Sequence, residues 1–108
     1  MPSDVRDAVA DVLRRAARGD WNRPNFLTAY QILDRLPREM RDRLITERTQ
    51  GGAGAGVAYG APSVVSDAAE KIPGIVIEYL DNRGIQVEIA GSFKKPGFEV
   101  CGLYRLDG

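Results

Sequence analysis

The residues able to do chemistry in this chain are few: the carboxylates Asp67 and Glu70, one helical turn apart, and a single thiol, Cys101. Two carboxylates at that spacing can share acid–base work when a cleft buries them. The same spacing arises on any polar helix face. The 108 residues include no histidine, which removes Ser-His and Cys-His nucleophiles, His-ligated metals and an imidazole titrating near neutrality. One thiol cannot assemble a cysteine-based zinc site. The expectation is therefore a non-enzymatic protein with no catalytic residues, no metal ligands and no cofactor. Cys101 reads as a small packing residue or a surface thiol.

A second candidate is the glycine-rich stretch 51–62, which holds five glycines in its first ten residues. It is expected to be a flexible Gly/Ala-rich loop, and a loop of about a dozen residues in so small a domain is often functional. It does not make a phosphate loop, because no Gly-Lys-Ser/Thr follows. Nor does it make a dinucleotide fingerprint, since Tyr59 stands where the third glycine belongs. It leads into an expected helix N-terminus at Ser63, where backbone amides and the helix dipole could hold an anion.

Composition bounds what must position these residues. At 44% hydrophobic and 28% charged, the chain reads as one ordinary globular domain, 1–108, with a radius of gyration of roughly 13 Å. Its fifteen basic and fifteen acidic residues cancel, whereas nucleic-acid-binding domains usually carry a basic excess. The charge is unevenly spread: residues 1–50 hold ten arginines against eight acids, and the rest five bases against seven acids. A lone cysteine, an N-terminus without a charged-then-apolar signal pattern and the lack of an apolar run of about 18 residues predict a cytoplasmic protein with no membrane association.

Periodicity predicts the elements. A first helix over 4–18, capped by Ser3, carries a thin stripe of Val5, Ala8, Val9, Val12, Leu13 and Ala16, fit for a core or for a dimer seam. A second helix, capped by Asn25, runs to Leu36 with Phe26, Leu27, Tyr30, Leu33 and Leu36 inward. A third opens at Pro37 and ends near Arg48 or Thr49. Its Arg38, Arg41 and Arg48 share an outer face interleaved with acids, which reads as a solvated ion-paired surface or an electropositive contact face. From Ser63 a helical stripe of Val64, Val65, Ala68, Ala69, Ile72, Ile75, Val76, Tyr79 and Leu80 continues across Pro73. This favours a kinked helix, with a strand over 75–80 as the competing reading because Ile75-Val76-Ile77 is β-branched. Gly84 is placed to stop that helix in a left-handed conformation, with Ile85 folding back on it. A terminal hairpin pairs 86–90 with 98–106, with Val87, Ile89, Val100 and Tyr104 inward.

The fold class expected is thus α+β: about four helices, then a C-terminal antiparallel β-hairpin, with a three-stranded meander as the alternative. Helices, a tight glycine stop and a two-stranded hairpin over residues 26–106 resemble the winged-helix arrangement. That resemblance implies a recognition helix over 63–72, a wing tip over 92–97, and nucleic-acid contacts from Arg38, Arg41, Ser63, Lys94 and Lys95. The primary expectation is a small protein-binding module: an adaptor, inhibitor or accessory subunit, of the kind found in phage and mobile elements. Its partner is another protein, with a homodimer as a further option. Interfaces favour aromatics and arginine, so the partner-binding candidates are Trp21, Arg38, Arg41, Tyr59 and Phe93.

Overall fold

The computed structural model describes residues 2–17, 26–49, 60–81, 83–94 and 100–106. Four helices, α1 (Pro2–Ala17), α2 (Ala29–Arg35), α3 (Arg38–Thr49) and α4 (Gly60–Glu70), pack with five strands, β1 (Leu27–Thr28), β2 (Ile75–Asp81), β3 (Val87–Ile89), β4 (Ser92–Lys94) and β5 (Val100–Leu106). The α+β class is as expected, and the radius of gyration is 13.1 Å. The strands form a three-stranded antiparallel sheet in the order β1-β5-β2 and a separate β3-β4 hairpin. No described helix is long and apolar enough to cross a membrane.

The apolar stripe of α1 is spent inside the molecule. Val5, Val9, Ala10, Val12, Leu13 and Ala16 are all buried, against α4 and β5, so the stripe forms no external dimer seam. Its small side chains let α1 and α4 approach closely, and α4 answers with Ala61, Val65, Ala68 and Ala69. Larger side chains fill the middle: Ile32, Leu33 and Leu13 are almost fully buried, each worth roughly 1.5–3 kcal/mol relative to exposure.

The second helix is shorter than its periodicity suggests, because Leu27 and Thr28 pair with Tyr104 and Leu103 of β5. Thr28, not Asn25, is the cap. The Gln31 amide donates to Thr28 Oγ1 at 3.1 Å and the Thr28 amide donates to Gln31 Oε1 at 2.9 Å, a reciprocal capping box. Leu36, with ψ 158°, ends α2 because a residue before proline is pushed to extended backbone. The Pro37 carbonyl then accepts from the Arg41 amide at 2.9 Å, which opens α3 one residue after Pro37.

The main correction falls at Pro73. Residues 75–81 form a strand, not the second half of a kinked helix. The last amides after α4, Lys71 and Ile72, turn to Ala68 and Ala69 at 3.2 and 3.1 Å, a tightened final turn. Proline removes the next helical donor, and Gly74 at φ 82° reverses the chain. The β-branched run then alternates, with Ile75 and Ile77 on one face and Leu80 on the other, each partly buried against the core.

The terminal hairpin also differs. β5 pairs along its whole length with β2, from Ile75↔Leu106 to Asp81↔Val100, and β3 pairs with β4 instead. The connection β3-β4 is the two-residue turn Ala90-Gly91, with φ of 52° and 84°, as a twisted hairpin requires. Asp34 of α2 pins it by accepting the Ala90 amide at 2.8 Å. Gly84 does take the left-handed conformation, φ 81°, but it follows a strand, and Ile85 stands 39% exposed without a helix to fold upon. The winged-helix resemblance is not confirmed: the 86–90/98–106 wing is replaced by this pairing, and the order β1-β5-β2 is not a meander either.

Candidate functional site

Asp67 and Glu70 do lie on α4, but both are exposed rather than enclosed in a cleft. Glu70 acts on Tyr104, a buried residue of β5 whose hydroxyl is hydrogen-bonded to Ser66. Burial pushes the Tyr104 phenol above its ordinary 10.0 and the Glu70 carboxylate adds to that, while the Ser66 bond works against it. Cys101, the one cysteine of the chain, is buried. Among the described residues no group of three His, Cys, Asp or Glu side chains could hold a metal ion.

Gly60, Ala61 and Pro62, expected at the end of the loop, belong instead to α4; residues 51–59, Tyr59 among them, lie outside the described residues. The helix N-terminus is at Gly60, so Ser63 is inside the helix and not its cap. Pro62, in the first turn, contributes no amide to an anion site.

Of the three arginines expected on the outer face of α3, the Arg48 side chain lies outside the described residues, and Arg38 and Arg41 differ in exposure. Arg38 projects at 86% exposure, whereas Arg41 is tucked in at 19%. Both approach Asp42, Arg41 Nε at 3.0 Å and Arg38 Nε at 3.8 Å, so part of their charge is spent locally. Phe93 and Lys94 are placed on β4 by their backbone, opposite Glu88 and Val87; their side chains, with Trp21 and Lys95, lie outside the described residues. The structure therefore brings Arg38 and Arg41 together on Asp42.

A different surface is built by β2 and β5. β2 is the edge strand of the three-stranded sheet. Seven residues long, it is paired on one side only among the described strands and packs besides on α4. An antiparallel strand directs half of its amides and carbonyls to each side, so one row faces away from β5. Tyr79 and Val100, both read from the sequence as inward, are instead 74% and 55% exposed. Tyr79 opposes Gly102 and Val100 opposes Asp81, which sets the two apolar side chains on one face as diagonal neighbours. Gly102 leaves room that Tyr104 takes: a Cβ there would stand 2.6 Å from the Tyr104 Cζ.

Charge is confined on this surface. Asp81, at the end of β2, is held by Arg83 at 2.7 Å, with Arg83 Nε near both carboxylate oxygens at 3.1 Å. Those hydrogen bonds hold the Asp81 carboxyl below its usual range and raise Arg83. Glu78, exposed in the middle of β2, makes no ion pair with any described residue. On the same sheet face Arg105 pairs opposite Val76 and lies over the Phe26 ring, 4.7 Å from its centroid. The signal for this surface was the break at Pro73-Gly74 followed by three β-branched residues. The helical stripe concealed it by assigning Tyr79 inward.

These features define a small α+β domain in which β2 is the edge strand of the sheet among the described residues. No protein-family model matches the chain, and neither the curated proteins nor the solved structures contain a match to it.

Proposed function

We propose that this chain is a small non-enzymatic protein-binding module, an adaptor, inhibitor or accessory subunit acting in the cytoplasm. It binds by adding an extended segment of another polypeptide to the free edge of β2. The observation that carries this reading is the coincidence of an edge unpaired among the described residues with exposed Tyr79 and Val100 beside it. Natural proteins usually blunt such edges with charged side chains, proline or a bulge. Residues 75–81 contain no proline, β2 runs in unbroken register with β5, and the one charge at the middle of the strand is Glu78. Edge addition takes affinity from main-chain hydrogen bonds and specificity from neighbouring side chains, and it needs neither net charge nor a catalytic group.

The test is affinity capture from cells, with and without nuclease, comparing the natural chain with a Tyr79→Ala, Val100→Ala double variant. Because both side chains are exposed, the fold is retained. A protein partner that survives nuclease and loses roughly tenfold or more in affinity in the variant is the expected result. Enrichment lost on nuclease treatment would instead support a nucleic-acid-binding protein, with Arg38, Arg41, Ser63, Lys94 and Lys95 as the residues to vary.

A further inference from the structure

We infer that the extended segment received by β2 is a basic one, carrying a lysine or arginine opposite Glu78 with apolar residues on either side of it. The inference rests on the β2 edge being the binding surface, and it names the chemistry of the occupant.

The side chains of β2 dictate that pattern. Alternation places Ile75, Ile77, Tyr79 and Asp81 on one face of the sheet and Val76, Glu78 and Leu80 on the other. A strand added along the free side sets one residue opposite Glu78, its immediate neighbours opposite Ile77 and Tyr79, and the next ones opposite Val76 and Leu80. All of these but Glu78 are apolar, so the added segment is apolar at the matching positions. Glu78 is exposed and has no ion pair among the described residues. Its neighbour on β5 is Leu103, which carries no charge. A cross-strand residue of opposite charge stabilises such a position, and one of like charge destabilises it.

The arginines at the end of β2 and on β5 are engaged elsewhere: Arg83 holds Asp81, and Arg105 lies over the Phe26 ring. The other face carries the same sign as Glu78. Glu70, exposed at the end of α4, also makes no ion pair with any described residue. It lies close enough to Tyr104 for its charge to act on that phenol, as does Tyr79, so a second carboxylate borders the face that carries Tyr79. Pairing between two copies of β2 does not meet this need. Residues 75–81 hold no lysine or arginine, so no register of β2 against itself brings Glu78 a cation.

Fluorescence anisotropy with two synthetic strand peptides tests this. In one, valine and threonine flank a central lysine; the other is identical but for a central glutamate. The natural chain is expected to bind the lysine peptide roughly tenfold more tightly than the glutamate peptide, and the difference is expected to shrink at high salt. Glu78→Lys is expected to reverse that order and Glu78→Gln to abolish it; the side chain is exposed, so both variants keep the fold. Binding of neither peptide by the natural chain, equal binding of both, or an order unchanged in Glu78→Lys overturns the inference. Capture from cells judges the edge separately. A partner lost in the Tyr79→Ala, Val100→Ala variant but retained in full by Glu78→Lys overturns the basic segment alone. A chain that binds neither peptide and loses no partner in the double variant overturns the edge reading as well.

Discussion

Tyr104 and Gly102 show how closely one residue can be tied to another two positions along a strand. The Tyr104 ring occupies the space that a side chain at 102 would need, with Cζ and Cε2 at 2.6 and 3.0 Å from a Cβ there. Gly102→Ala is therefore expected to destabilise the fold by about 1–3 kcal/mol, as other overpacked sites do, read as a lower urea midpoint with an unchanged slope. The Tyr104 hydroxyl carries a second consequence. Its pKa in the fold is raised above the ordinary 10.0, first by burial, so the folded chain holds this proton at pH values where the unfolded chain releases it. Fewer protons on the unfolded state means that stability falls as pH rises. The contribution is intact below pH about 10 and is lost as pH climbs through the raised value. Urea midpoints between pH 8 and 11 should decline more steeply for the natural chain than for Tyr104→Phe; parallel profiles would show that this phenol is not the group responsible.

Among the elements, α2 is the one whose short length makes its cap matter most. With seven residues, it has too few internal hydrogen bonds to stand alone. The Thr28–Gln31 box satisfies two amides that would otherwise lack partners. Thr28→Ala should cost about 1 kcal/mol, and thermal unfolding checks it; a change within error would mean that the β1–β5 pairing alone fixes this end. Elements were legible from the sequence where the signal was local and long. The α1 stripe, the α3 bounds and the buried face of α4 all follow from helical spacing, and the break at Pro73 was visible. The direction taken after it was not, because seven residues of strand keep enough apolar positions to imitate a helical stripe. β1 was illegible for another reason: two residues have no period, and only the distant Tyr104 and Leu103 make them a strand. The misreading of Tyr79 and Val100 as core residues followed from placing them in a helix and in a different hairpin, so the candidate site was hidden by the same error. Arg38 and Arg41 were legible as a pair, yet their sharing of Asp42 depended on rotamers that no spacing specifies.

For the whole molecule, one core cluster joins all four helices to β1, β3 and β5, with β2 packed against it. The zero formal charge leaves no long-range field to keep copies apart, which suits a molecule that meets its partner through a strand edge. The sheet order has a further consequence. Its central strand, β5, comes last in the chain, and both β1 and β2 depend on it for their pairing. Without residues 100–106 neither Leu27–Thr28 nor the β-branched run 75–81 has a strand partner among the described residues. The three-stranded sheet therefore closes through contacts distant in sequence, the kind whose loop-closure cost slows folding, and a chain truncated before Val100 is left with two unsatisfied strands instead of a smaller sheet.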